Sequence, residues 1–317
     1  MKKSFLLIII STIYLLGISS AAFAFWVWTP ETNKWINPKY DVKETPDAQL
    51  KYGLGFFSDK KYKEAINEFH KLIKHYPLAR QAPEAQFYIG QCYEDQGKLY
   101  QAVNEYQIVV DKYPFSERSA EVVKRQYAIG ERILEGKANR SQLMDALTGK
   151  EDDVIEVFKK VIKNAPYGEL APPSRYKIGL YLQEKKLYQE ARDEFEKVTN
   201  DYPNNEWAKA AKYQIAMSDA KRSTAAQYDQ KVTQTAVDEL KKFVTDHPDA
   251  ELTDTAKQEI GNLREKEAQN QFVIAEFYVK QKNFTAARIY YNNVLNDYGT
   301  TSWMKKAAQR LKEIANK

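Results

Sequence analysis

The side chains able to do chemistry are few, and their spacing does not bring them together. There are three histidines, His70, His75 and His247. None has a histidine four residues away, the interval that places two imidazoles on one helix face for a metal ion. Gly53-Leu54-Gly55 has the start of a phosphate loop, but no third glycine and no preceding strand. Acidic pairs such as Asp152-Asp153 and Glu194 with Glu196 are ordinary for a chain in which 29% of residues are charged, and they read as solvated helix faces. Cys92 lies two residues after Gly90 and beside Tyr93. With no basic neighbours to favour its thiolate, it reads as a small buried hydrophobe. No nucleophile, base and orienting partner converge. The expectation is a protein that is not an enzyme and carries no metal or cofactor.

Binding chemistry is better represented. Aromatics make up 13% of the chain, mostly tyrosine. One set recurs at a fixed place, three residues before a small residue: Leu50, Phe87, Tyr127, Tyr176, Tyr213 and Phe272. Rings in a row along a groove suit an extended or helical peptide with apolar anchors, with Asp47, Glu84, Gln91, Glu94 and Glu131 as polar neighbours. The competing expectation is that the rings pack between helices, since each helix must bury one stripe. A second set, Trp26, Trp28 and Trp35, lies in a stretch broken by Pro30, Pro38 and Pro46. An exposed run this aromatic is expected to dock on a protein surface, its own first repeats included, or on a bilayer face.

These residues are positioned by a repeated phrase: a small residue, an aromatic four later, then an aromatic followed by proline. It reads Ala65, Phe69, Tyr76-Pro77; Ala102, Tyr106, Tyr113-Pro114; and Ala191, Phe195, Tyr202-Pro203. Worn copies are Val154, Phe158, Pro166; Ala236, Leu240, Pro248; and Ala287, Tyr291, Tyr298-Gly299. Pro77 to Pro114 and Pro166 to Pro203 both span 37 residues, the length of a helical hairpin with its turns. Glycine stands twelve residues before the small residue at Gly53, Gly90 and Gly179. It costs a helix roughly 1 kcal/mol, so its recurrence predicts close approach of the two helices of each hairpin. Polar turns such as Lys60-Lys61 and Lys185-Lys186 separate the helices, and the aromatic-proline pair ends the second.

This spacing resembles the tetratricopeptide repeat. Fold and organisation follow: an all-α, superhelical solenoid of about six hairpins over residues 47–300, then a capping helix over 301–317. The stretch from Glu259 to Lys282 reads as one long helix ending in Ala-Glu-Phe-Tyr, with a hairpin partner from Asn283. It resembles the outer-membrane assembly factor D family, a periplasmic subunit of the β-barrel assembly machinery. The resemblance implies a protein-binding scaffold whose partners are a β-barrel insertase and unfolded outer-membrane proteins. It puts client-binding candidates at Phe57, Phe87 and Tyr127. The family's docking arginine falls on Tyr290 here, with Arg288 two residues and about 200° away on the helix. The family is usually acylated on a cysteine after its signal, whereas the single cysteine here is Cys92. Two other readings use the same repeats: a coordinator of envelope constriction with peptidoglycan synthesis, and a structural adaptor of a secretion or pilus apparatus.

The amino terminus sets the compartment. Lys2-Lys3, the apolar run Phe5 to Leu16 and Ala22-Phe23-Ala24 have the pattern of a secretory signal over residues 1–24, cut after Ala24. The alternative is an uncleaved anchor from Phe5 to Trp28. Either way the chain is exported and the repeats face the periplasm, associated with the outer membrane through partners or that anchor. Residues 25–46 form an extended segment rich in tryptophan and proline. The formal charge of +5 falls to +3 when Lys2 and Lys3 leave, and no basic run interleaved with aromatics suggests nucleic acid. Two insertions, around residues 134–153 and 218–235, interrupt the array and are expected on one of its faces.

Overall fold

A computed structural model describes residues 27–29, 34–37, 41–138, 153–225 and 230–315. Two short strands come first among them: β1 (Val27–Thr29) and β2 (Lys34–Ile36) form an antiparallel ribbon that sets Trp28 opposite Trp35. Thirteen helices follow among the described residues, as an α-solenoid of six hairpins and a terminal helix requires. They fall into two compact units, one ending at Gln96 and one beginning at Gly97.

The first unit holds α1 (Pro46–Ser58), α2 (Tyr62–His75) and α3 (Gln81–Asp95). Thr45 starts α1 by accepting the Ala48 N–H at 3.2 Å, with Pro46 in the first turn, where no intrahelical donor is needed. Helix α2 buries Ala65, Glu68, Phe69 and Leu72, the i, i+3, i+4, i+7 stripe of an amphipathic helix. Both α1 and α3 pack on it.

The second unit runs α4 (Leu99–Lys112), α5 (Ser119–Ala138), α6 (Asp153–Asn164), α7 (Ala171–Glu184), α8 (Tyr188–Asp201), α9 (Glu206–Ala225), α10 (Gln230–Asp246), α11 (Thr253–Lys280), α12 (Phe284–Asp297) and α13 (Trp303–Ile314). Each helix packs on the next, and α4 on α6, α7 on α9 and α11 on α13 also touch. Where they are described, the insertions lengthen helices: α5 and α9 reach 20 residues each and α10 reaches 17. What falls within 139–152 and 226–229 lies outside the described residues. The long helix of the last repeat starts earlier than the sequence suggests, at Thr253, because Thr253 and Ala256 are already buried. Helix α13 closes the array by burying Ala307 and Ile314, with Trp303 and Leu311 packed against the same cluster.

The repeated glycine has a specific partner. A Cβ on Gly53 would lie 2.6 Å from the Phe69 ring, one on Gly130 2.8 Å from Phe158, and one on Gly179 2.5 Å from Phe195. The glycine therefore makes room for the aromatic of the second helix; the small residue four positions earlier is buried beside it. The Gly130–Phe158 pair keeps this contact across the first insertion.

Two turn types alternate. Between the helices of a hairpin, one residue takes left-handed backbone: Lys60 (φ 59°), Gly97 (φ 73°), Lys186 (φ 62°) and Lys282 (φ 58°). At Lys60, the Lys61 N–H donates to Phe56 O at 2.9 Å and the Lys60 N–H to Phe57 O at 2.9 Å, the Schellman arrangement usually built on glycine. Between hairpins, the proline and the residue before it, usually tyrosine, begin a four-residue turn closed by a backbone bond, as in Tyr76–Ala79 (3.1 Å), Tyr113–Ser116 (2.9 Å), Ala165–Gly168 (3.0 Å) and Tyr202–Asn205 (3.0 Å). The tyrosine also reaches back along the array. Tyr76 Oη donates to Lys43 O at 2.7 Å and Tyr202 Oη to Pro166 O at 2.9 Å.

Candidate interaction surface

Most of the recurring rings are structural. Phe87 is fully buried in α3, edge-on to Tyr88 at 5.9 Å. Tyr176 is buried between Phe195 (5.3 Å) and Trp207 (5.1 Å), and its hydroxyl accepts from Gln214 Nε2 at 3.3 Å. Tyr213 is buried against Phe243 at 5.5 Å. The expectation of a groove lined by these three rings is corrected on this point, because each fills the space between successive helices. Leu50 and Phe272 are half-buried, and Phe272 is wedged between Tyr291 (5.4 Å) and Trp303 (5.1 Å).

The remaining candidates reach the surface in part. Phe57 is half-buried and meets Tyr62 at 6.0 Å and Tyr88 at 5.3 Å. Glu84 and Gln91 are half-buried on α3. Tyr127 on α5 stands edge-on to Phe158 at 5.9 Å, with Lys177 Nζ 5.9 Å from its ring centre. Lys177 in turn pairs with Glu131 at 3.0 Å. Burial, reinforced by the Glu131 carboxylate, holds the Tyr127 hydroxyl well above the usual phenol range. In the last hairpin, Tyr290 stacks on Tyr278 at 5.4 Å with 17° between the rings, and Arg288 Nη1 donates to Ile314 O at 3.4 Å. That bond caps α13. Trp28 and Trp35 are 45% and 65% exposed; Trp26 lies outside the described residues.

Several exposed apolar side chains were not legible in the sequence. Val273 and Phe277 stand one turn apart on the outer face of α11, each 55% exposed, and Ile289 on α12 is 57% exposed. On α1, Ala48, Tyr52, Gly55 and Phe56 line an open groove of about 560 Å³ with Lys43, Lys51 and Asp59. Lys43 Nζ lies 4.4 Å from the Tyr52 ring centre. The i, i+4 spacing of Val273 and Phe277 was available beforehand. It was indistinguishable from a core stripe until the neighbouring helices were placed.

Polar networks tie neighbouring helices together. Arg310 of α13 clamps Glu276 of α11 with Nε to Oε1 at 2.5 Å and Nη2 to Oε2 at 2.8 Å, and the Tyr291 hydroxyl donates to the same carboxylate. The hydrogen bonds from Arg310 hold the Glu276 carboxyl below its ordinary range. Between α8, α9 and α10, Arg192 bonds the buried Asp219 at 3.0 Å and faces Glu239 at 3.6 Å. Burial, and then Asp219, push the Glu239 carboxyl up. Among the described residues no group of three or more histidine, cysteine, aspartate and glutamate side chains could hold a metal ion, and no helix is long and apolar enough to cross a membrane.

The fold and this surface define a repeat scaffold of the protein-interaction class. Residues 47–79, 84–116 and 174–205 match the tetratricopeptide-repeat family. Residues 216–317, which carry α11 to α13 and the Val273–Phe277 face, match the outer membrane lipoprotein family YfiO. Among solved structures, a tetratricopeptide-repeat protein from Parabacteroides merdae is 10% identical, covers 86% of this chain and 99% of its own, and has a TM-score of 0.34. YrrB, described as a protein of this repeat class with an unusual peptide-binding site, is 15% identical over 70% of this chain and 94% of its own, with a TM-score of 0.34. PilF of Pseudomonas aeruginosa is 13% identical over 84% and 97%, with a TM-score of 0.30. No curated protein matches the chain.

Proposed function

We infer that this protein is a periplasmic scaffold that binds polypeptides during the assembly and insertion of outer-membrane β-barrel proteins. The observation that carries the reading is the match of residues 216–317 to an outer membrane lipoprotein family, on a chain whose other repeats match a family of interaction modules. The scaffold performs no chemistry itself. Its last hairpin offers the docking face for a β-barrel insertase: Val273 and Phe277 are exposed anchors on a rigid helix, flanked by Tyr290 stacked on Tyr278. Arg288 is engaged with the end of α13, so apolar contact, more than an arginine pair, drives this docking. The first unit receives unfolded clients at the half-exposed positions Phe57, Glu84 and Gln91, and Tyr127 offers a separate contact in the second unit.

The test is purification of the carboxyl-tagged chain from gently solubilised membranes. Stoichiometric recovery of a β-barrel insertase is expected. Val273→Ser with Phe277→Ser should abolish it while circular dichroism stays that of the parent. Recovery of division or secretion components in place of the insertase refutes the reading.

A further inference from the structure

Three large apolar side chains are almost wholly in water: Leu78 at 99%, Phe115 at 100% and Tyr167 at 96% exposure. Among the described side chains the next most exposed large hydrophobic is Trp35 at 65%. All three occupy one position, the residue after the proline that ends the second helix of a hairpin. The turns containing them are closed by backbone bonds from the residue before the proline to the residue after the tip, so proline takes the second turn position and the apolar residue the third. That third position points outward, and with negative φ there it accepts most residues, polar ones included. The later repeats carry polar residues there, the exposed Asn204, Asp249 and Thr300. Nothing in the turn asks for leucine, phenylalanine or tyrosine.

Within the second unit, Phe115 and Tyr167 lie on one edge. Asn164, the last residue of α6, exchanges hydrogen bonds at 2.9 Å with Gln107, five residues before the end of α4, and Lys160 Nζ donates to Asn104 at 2.7 Å, so the two helices run parallel and their closing turns leave toward the same end of the unit. The next turn is joined to that of Tyr167 by the Tyr202–Pro166 bond. An exposed lysine stands in the last turn of the helix behind each tip, Lys112 behind Phe115 and Lys163 behind Tyr167. Glu117 and Glu169 follow the tips and are also exposed. Leu78, in the first unit, repeats the arrangement with Lys74 behind it.

We propose that this edge of the second unit rests on a lipid bilayer, with Phe115 and Tyr167 inserted into the interface. The tips protrude singly from convex turns with no wall of neighbouring side chains, so a folded partner would need a separate pocket for each, whereas a fluid interface takes any protruding ring. Aromatics favour that boundary, and lysines one helical turn behind can lay their stems along it with their charges in the headgroups. The match of residues 216–317 to an outer membrane lipoprotein family supports a location beside a membrane. Cys92, the single cysteine, is buried in α3 and cannot carry a lipid there without opening the helix packing.

The test uses the full-length chain with Tyr167→Cys labelled by an environment-sensitive fluorophore, Cys92 being too buried to react. Vesicles of phosphatidylethanolamine and phosphatidylglycerol should shift the emission to the blue. Adding Phe115→Ser should raise the lipid concentration for half the shift by roughly tenfold, since burying a ring is worth at least that factor. The same label at Asn204→Cys, the polar tip of the next turn, should stay aqueous. Circular dichroism confirms that Phe115→Ser folds, as a side chain wholly in water must allow. A label that stays aqueous while the protein sediments with vesicles would overturn the proposal, because other residues then hold the membrane. A shift produced only by an unfolded barrel polypeptide would overturn it equally.

Discussion

Substituting Gly179 by alanine tests the central packing rule of the repeat. The new Cβ would lie 2.5, 2.7 and 2.9 Å from three atoms of the Phe195 ring, against about 3.5–4.0 Å for carbons in contact. Phe195 is fully buried and braced by Tyr176 at 5.3 Å, so the ring has nowhere to retreat. Overpacking of this kind costs about 1–3 kcal/mol, and three simultaneous overlaps put it at the upper end. Alanine recovers about 1 kcal/mol of helix propensity. The net expectation is a loss of about 2 kcal/mol. Gly261 is the control: it lies inside α11 with nothing within 4 Å of its absent Cβ, so Gly261→Ala should gain about 0.5–1 kcal/mol. Urea denaturation followed by far-ultraviolet circular dichroism reads both. Phe195→Leu removes the clashing atoms, so the double variant should cost at least about 1 kcal/mol less than the sum of the singles. The reasoning is refuted if Gly179→Ala matches Gly261→Ala in sign, or if the double variant is additive.

Further expectations follow from the turns and the buried groups. Lys60→Gly, Lys186→Gly and Lys282→Gly should each raise stability by about 1 kcal/mol, because a left-handed backbone costs a side-chain-bearing residue about that much; lower denaturation midpoints would contradict the turn geometry. Glu276 has a folded pKa lowered by Arg310, so it contributes stability above the ordinary glutamate range that is lost as pH falls through the lowered value. Glu276→Gln should therefore cost about 1 kcal/mol at neutral pH, since the pair is partly exposed, and should flatten the acid limb of a stability–pH curve. Cys92 is buried, which pushes its thiol up to about 12, with Asp95 adding to the shift. It should resist a thiol reagent in the native state and react fully in denaturant; rapid native labelling would show that α3 opens.

The periodic features were legible in the chain because they are local. Helix and turn alternate where proline, glycine and small residues recur, and the capping helix is visible in the spacing of Trp303, Ala307, Leu311 and Ile314. These depend on backbone sterics and on one amphipathic period, which a linear sequence carries directly. The insertions were harder: extra residues without a breaker can lengthen a helix or form a loop, and within the described residues they extend α5, α9 and α10.

The binding surface depended on neighbours. Phe87, Tyr176 and Tyr213 share a register with Tyr127, yet three are core and one is half-exposed, because burial depends on which side chains the adjacent helices bring. Val273 and Phe277 have core-like spacing and stand in water for the same reason. At the turns the division runs the other way. Proline followed by Leu78, Phe115 or Tyr167 is written in the sequence, but only the closed turn shows that each side chain points outward into water. The sequence by itself determined the hairpin, its period and its stops, since those are set within a few residues. Tertiary structure alone decided which apolar side chains were left for a partner, since that depends on contacts between residues tens of positions apart.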